Sequence, residues 1–508
     1  MRTKNIIKIA TACLGLAVIT SSCTNLDEEL YGRLSPDNYY QTEEEGLSSV
    51  AGIYTELSYM FTAGGDGWRD GEFDTDECAC PGRASGGWYD EDNMQMMSHN
   101  VKASNGSVGR LWSQRIFRII GAANAVMASL QESPNAANMK GLIAETRALR
   151  AYGYWFAMDY FGNVPIFTAA RVSADSLPAT KSRAEVYKFV VSEFTAAAAD
   201  LPSVTTVTRS SYYPRFTKEA IYTALASVYL NAEVYTGTAD WADVITMCDN
   251  VINTGAYSLQ PSVGACFLST NENNSEIISA FSISPTNNAG QNQFILYAQP
   301  GFDKAKYSLG FSPANGYCFT DKALNRYEAG DARLSLLEYG PQYNLDGTPL
   351  CDASGKQYVL TTIKDMVSAQ DNEGYRVLKY SPVGATWSSY NADNDLVMER
   401  YANVLLMKAE AEFRLGKNTS DALNLVNQIR KRSNCSEWSE LSLKKIEEER
   451  AREFIWEGQR RRDMIRFGSY FTDTWFYKET VTPAERGIYP IPEYQLNNNP
   501  NLKQNTGY

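Results

Sequence analysis

Histidine is all but missing from this chain: His99 is the only one in 508 residues. A histidine-based zinc site or a catalytic triad therefore has a single side chain to be built around. Cations are also scarce, with 47 Lys and Arg against 59 Asp and Glu. The resulting net charge of −12 repels phosphate backbones and anionic lipid, which argues against nucleic-acid binding. Beyond residue 22 no stretch offers about 18 uninterrupted apolar residues, so no transmembrane helix is expected there. Cysteine is present but scattered, at 13, 23, 78, 80, 248, 266, 318, 351 and 435, which is no disulfide framework. Cys78-Ala79-Cys80 lacks the two-residue spacer of a zinc knuckle and has no companion pair. No cofactor is expected. The acidic loop clusters carry oxygen ligands of the kind calcium takes, without an EF-hand pattern to select any of them.

What is there begins with an address. Arg2, Lys4 and Lys8 precede an apolar run, Ile9–Ile19, interrupted only by Thr11. That run is too short to span a bilayer and reads as a signal-peptide core. It ends in Thr20-Ser21-Ser22-Cys23, which resembles a bacterial lipobox with Thr20 where leucine is usual. Residues 1–22 are expected to be removed and Cys23 to carry the lipid anchor. Their removal takes away three cations and no acids, so the net charge moves from −12 to −15. The remainder is long enough to bury a large core, and length alone allows two or three domains.

Several stretches carry helical spacing. In Leu142–Tyr160, Leu142, Leu149, Tyr152, Phe156 and Tyr160 share one face, and Gly162 and Pro165 stop the helix. Thr217 is expected to cap a helix with the stripe Ile221, Leu225, Val228 and Ala232, thinned by Ala220, Ala224 and Ala226. Trp241, Val244, Ile245, Cys248 and Val251 make its partner. The pattern returns with Ala402, Leu406, Ala409 and Phe413, a stop at Gly416, a cap at Ser420, and Ala422, Leu425, Val426 and Ile429. Two such units suggest tetratricopeptide-like packing, although the strict 34-residue signature is absent. One last amphipathic helix is expected over Leu443–Phe467, with Glu448/Arg452 and Glu457/Arg461 pairs on a solvated or structural face. Residues 60–110 and 260–395 are rich in Gly, Asn, Ser, Asp and aromatics without periodicity, and loops that long are usually functional.

Four segments together resemble the SusD-like (RagB/SusD) family of outer-membrane nutrient-binding lipoproteins. They are Glu145–Tyr152 running into Phe161-Gly-Asn-Val-Pro165, Arg400–Glu412, Glu449–Gly468, and the tail Tyr489–Tyr508. The resemblance implies a mostly α-helical single domain over 23–508, a tetratricopeptide-like scaffold with irregular ligand-binding loops. Its N-terminal family segment would span about 24–230 and its C-terminal one about 270–508. It also implies a lid over a SusC-like TonB-dependent transporter, fed with oligosaccharides and carrying out no chemistry. Asp27-Glu28-Glu29 is similar to the acidic signal that sends such lipoproteins to the cell surface.

The loop Asp74–Asn93 is similar to a stretch of starch-binding members, in which an acidic step precedes an Arg-containing glycine-rich turn and a tryptophan. A sugar offers an apolar C–H face and a rim of hydroxyls, so an exposed indole covers the face while Arg, Asp and Asn take the rim. Trp88, Tyr89, Arg83, Asp90 and Asn93 supply those parts, and Gly86-Gly87 lets the backbone turn. Trp88 could instead plug the loop base onto the scaffold. Tyr317 and Trp387 are further, weaker candidates that suit a core better than a site. Two other functions compete. A surface glycoside hydrolase needs two spaced carboxylates, and no motif selects a pair from Asp74, Asp76, Glu77 and Asp90. A protein-interaction adaptor would use the helical repeats and bind no sugar.

Overall fold

The computed structural model describes residues 40 and 42–508 apart from 273 and 285–290. The signal peptide, Cys23 and Asp27-Glu28-Glu29 lie outside the described residues. Helices dominate, and those that build the scaffold and hold the site are α1 (Glu43–Ser58), α2 (Asp66–Phe73), α3 (Phe117–Glu132), α4 (Lys140–Phe161), α5 (Arg183–Asp200), α6 (Lys218–Leu230), α7 (Trp241–Ile252), α8 (Tyr401–Leu415), α9 (Thr419–Arg432), α10 (Leu443–Glu453) and α11 (Arg460–Phe467).

The centre of the molecule is α4. From Ala148 to Phe161 every residue is buried, so the single stripe read from the sequence is one side of a helix wrapped all round. Helices α3 and α5 flank it, and α1 covers it from a capping box in which Thr42 and Glu45 satisfy each other's backbone N–H groups. The expected helix pairs form as α6 with α7 and α8 with α9, and α7 packs on α8, so the two pairs make one continuous stack. Ala220, Ala224 and Ala226 are fully buried, as close helix approach requires. Gly416 ends α8 in a left-handed conformation, as expected. Two capping assignments are corrected. Thr217 occupies the N-cap of α6 without a side-chain cap bond, and α9 starts after Asn418, leaving Ser420 inside the helix.

The helix expected over Leu443–Phe467 is broken. α10 ends at Glu453 and α11 begins at Arg460, because Trp456 (φ 56°) and Gly458 (φ 71°) turn the chain between them. That break frees Glu457 to reach Arg400 at 2.6 Å. The long irregular regions contain more order than expected. Short helices Glu91–Met97 and Gly106–Arg110 join α2 in 60–110, and Ile277–Phe281 pairs antiparallel with Leu396–Arg400. Elsewhere in 260–395 the strands are mostly two-residue ladders.

Two of the four segments that carry the family resemblance, Arg400–Glu412 and Glu449–Gly468, meet in a buried ion lattice. Arg400 bridges Glu276 (2.5 Å) and Glu453 (2.9 Å). Glu449 accepts from Arg333, Arg430 and Arg452, Arg450 from its side reaches Asp463 at 2.7 Å, and Arg466 pairs with Glu410 at 2.8 Å. Glu145 accepts from Arg215, and the tail closes on α4 where the Asn505 amide donates to the Phe161 carbonyl (2.7 Å) and the Tyr489 carbonyl (2.8 Å). Charges buried in pairs add little net stability, yet removing one partner is severe, so such a lattice fixes one arrangement of helices.

Candidate functional site

The loop expected to carry the ligand face divides into two parts of opposite character. Residues 74–83 are buried, whereas 84–92 are exposed or partly exposed. The acidic step belongs to the buried part. Asp74 pairs with Arg461 at 2.7 Å and accepts from the hydroxyls of Tyr470 and Tyr489. Asp76 is held by Arg460 at 2.8 Å and by Arg326. Despite the cost of burial, those guanidinium groups hold its carboxyl well below the usual range. Glu77 accepts the backbone N–H of Trp456 at 3.1 Å, and burial raises its pKa to about 7. Asp90 caps the Glu91–Met97 helix by accepting from Asp92 N at 2.8 Å. The four carboxylates from which a hydrolytic pair could be drawn are therefore an anchor for the loop (Asp74, Asp76, Glu77) and a helix cap (Asp90).

Three of the expected sugar contacts are corrected by burial. Arg83 is 5% exposed, with its donors on the carbonyls of Asn315, Gln370 and Glu373 and on the Cys318 sulfur. Tyr317 is 3% exposed, stacked on Tyr297 at 5.3 Å and on Trp68 at 5.8 Å. Asn93 is 8% exposed inside the short helix. Trp387 is partly buried against Phe311, ring centroids 5.1 Å apart.

Trp88 and Tyr89 remain at the surface. Tyr89 is 55% exposed. Trp88 takes a left-handed backbone (φ 66°), uncommon for a bulky residue, and follows the positive-φ glycines Gly86 and Gly87. Its indole N–H donates to the Ala314 carbonyl at 2.6 Å, and its ring meets the edges of Tyr297 and Tyr317 at 5.9 and 5.7 Å. One side of the ring rests on Gly316, where a Cβ would come within 2.7 Å of Cε2. The indole is thus clamped along its polar edge and one side while staying partly exposed. Sequence reasoning missed the companions: Tyr297, Asn315, the 58%-exposed Val367, and Asp371, which accepts from Ser85 at 2.7 Å. They lie in three separate segments, the short helix Phe294–Ala298 and two loops, and no local pattern links them.

The lone histidine is structural in its surroundings. His99 stacks on Tyr470 at 4.1 Å, places Nδ1 2.7 Å from the Thr482 hydroxyl, and faces Asp74 at 3.4 Å. Burial lowers its pKa to about 4, and both Thr482 and the His99–Asp74 pair are buried. An apolar cavity of about 370 Å³ opens between α1 and the 211–215 segment, away from Trp88 and Tyr89. The polar groups at its wall, Tyr54, Tyr212 and Arg215, already converge on Glu145. Among the described residues the cysteines are free, no group of three or more His, Cys, Asp or Glu is placed to hold a metal ion, and no helix is long and apolar enough to cross a membrane.

Comparison with known proteins places the chain. Residues 353–508 match the model of the SusD family, and residues 67–230 match one described as starch-binding associating with the outer membrane. The chain belongs to the SusD-like family. The starch-binding protein SusD of Bacteroides thetaiotaomicron is 28% identical over 417 residues, 72% of each chain. SusD-like protein P38 of Formosa agariphila is 24% identical and aligns over 99% of both chains. A SusD superfamily protein from Parabacteroides distasonis superposes with a TM-score of 0.74 at 21% identity, over 92% of this chain and 99% of its own. Surface glycan-binding protein A from Bacteroides thetaiotaomicron, in complex with laminarihexaose, gives 0.74 at 20% identity over 91% and 99%. This SusD-like chain therefore has the expected fold, and glycan binding is the activity that its family carries.

Proposed function

We propose that this SusD-like protein is a lipid-anchored, cell-surface glycan-binding protein that captures oligosaccharides and passes them to a TonB-dependent transporter without altering them. The observation that carries the reading is Trp88, an indole clamped by Ala314 and Gly316 yet partly open to solvent, next to the exposed Tyr89. An indole fixed in this way stacks on the C–H face of a pyranose with little further loss of side-chain freedom. Asp371, Ser85 and Asp90 stand nearby, in sequence or by contact, as rim groups for hydroxyls. Support for a starch-like glucan comes from the starch-binding relative, and the laminarihexaose complex of a fold neighbour makes a β-linked glucan the natural control. Outer-membrane association is how the matched family is described, and Cys23 is the proposed lipidation site.

The test is calorimetric titration with maltoheptaose and laminarihexaose, followed by chromatography of each glycan after prolonged incubation. Saturable binding with the oligosaccharide returned intact supports the reading. Products that accumulate with protein concentration would make the protein an enzyme.

A further inference from the structure

Two arginines under the Trp88 face are buried without a carboxylate. Among the described residues neither Arg83 nor Arg376 forms an ion pair, although nearly every other buried arginine of the lattice does. Arg376 is fully buried. Its NH1 donates to the Gly374 and Tyr375 carbonyls and to the Cys318 sulfur, and its NH2 donates to the Asn315 side-chain oxygen at 2.5 Å. Burial pulls its pKa down, opposed by the adjoining Cys318 and, at longer range, by Asp303 and Glu338. A guanidinium held mainly by neutral acceptors is costly, and what it offers in return is a rigid planar fork.

One arm of the fork, NH2, holds Asn315, and Asn315 is where the loops of the site are tied. Its backbone is left-handed (φ 56°), its carbonyl accepts from Arg83 Nε at 2.7 Å, and its amide donates to the Asp371 carbonyl at 3.0 Å. The residues on either side of it are those that clamp the indole: the Ala314 carbonyl accepts from Trp88 Nε1, and Gly316 supports the ring. Arg83 meanwhile reaches the Gln370 and Glu373 carbonyls, so segments 83–88, 314–318 and 370–376 are knitted at one point.

We infer that Arg376, acting through Asn315, is a positioning residue for Trp88: it fixes the Ala314-Asn315-Gly316 segment, with its left-handed Asn315, and thereby the attitude of the indole at the surface. Arg83 completes the same knot from below. This inference rests on Trp88 being the glycan contact for its consequence, but not for its test in the unliganded protein.

The test uses the full mature chain carrying 5-fluorotryptophan, with the Trp88 resonance assigned by its loss in Trp88→Phe. Arg376→Lys keeps the charge and removes the fork. Asn315→Gly keeps access to the left-handed backbone and removes the side chain that the fork holds. Both variants should displace the Trp88 resonance and weaken maltoheptaose binding at least fivefold. The double variant should add little to either single one, because both cut the same link. A Trp88 resonance at its wild-type position in folded Arg376→Lys overturns the inference. So do additive effects in the double variant, or an unmoved resonance in Asn315→Gly should Arg376→Lys fail to fold. Wild-type protein that binds no glucan would refute the proposed function, whereas the fluorine shifts would still decide the positioning role.

Discussion

The Asp74 carboxylate and the Arg461 guanidinium meet at 2.7 Å across 387 residues of sequence, both buried. This contact joins the base of the candidate ligand loop to α11 and to the tail, since Tyr470 and Tyr489 donate to the same carboxylate. It makes Asp74 part of the frame and gives it no free valence for chemistry. Asp74→Ala should leave an unpaired buried cation and destabilise the fold by about 3–5 kcal/mol, read by urea denaturation. An unchanged midpoint would show that the carboxylate is not a structural anchor.

A second expectation concerns pH. Burial raises Glu399 to about 7 from the usual 4.5, with Asn403 donating to it at 2.9 Å and Arg462, Arg450 and Glu457 as its charged neighbours. The folded chain therefore keeps a proton that the unfolded chain releases above about 4.5. Its contribution to stability falls as pH rises from about 4.5 to about 7 and is flat on either side. Glu399→Gln, which mimics the protonated acid, should be more stable than wild type at pH 8 by up to about 3 kcal/mol, with the difference gone near pH 4. Parallel stability curves for the two proteins across that range would contradict the buried-acid account.

Much of the scaffold is legible in the sequence because helix periodicity is a local signal. Leu142 to Tyr160, the two helix pairs and the Gly416 stop all appear where spacing puts them. The misassigned charged residues share one physical cause, which is long-range electrostatics. Arg461 has a glutamate four residues before it, yet it pairs with the distant Asp74. In a low-dielectric interior, partners from remote segments outweigh exposed i,i+4 contacts worth a few tenths of a kcal/mol. The same cause explains the site. Arg83 has the composition of a sugar contact, but carbonyls brought in from 315, 370 and 373 draw it under the surface. Tyr89 and Trp88 stay outside because Gly86 and Gly87 turn the chain away from that knot.

Gly316 offers a way to move the indole without removing it. A Cβ there would lie 2.7 Å from Trp88 Cε2, inside any allowed contact. Gly316→Ala should push the ring from its seat at a cost of about 1–3 kcal/mol. Glycan affinity should fall while the circular dichroism spectrum stays that of the wild type. Wild-type affinity in this variant would mean that the attitude of Trp88 does not matter to binding.

The anchor is tested independently of the fold. Cys23→Ala should abolish incorporation of labelled fatty acid and deplete the protein from the membrane fraction. Normal membrane recovery of the unlipidated variant would remove lipidation from the account.

The most direct measurement is the affinity of folded Trp88→Ala for maltoheptaose, taken beside its thermal unfolding. Losing a stacked indole removes contact worth about 1–3 kcal/mol, which corresponds to about five- to 150-fold weaker binding. The melting point should fall only modestly, because Trp88 packs at the edge of the core and is partly exposed, while the centre of the core at α4 and the ion lattice make no contact with it. Weakened binding in a protein of near-native stability is the predicted result. Wild-type affinity in the folded variant, or affinity lost only in step with the fold, would contradict the assignment of Trp88 as the glycan contact.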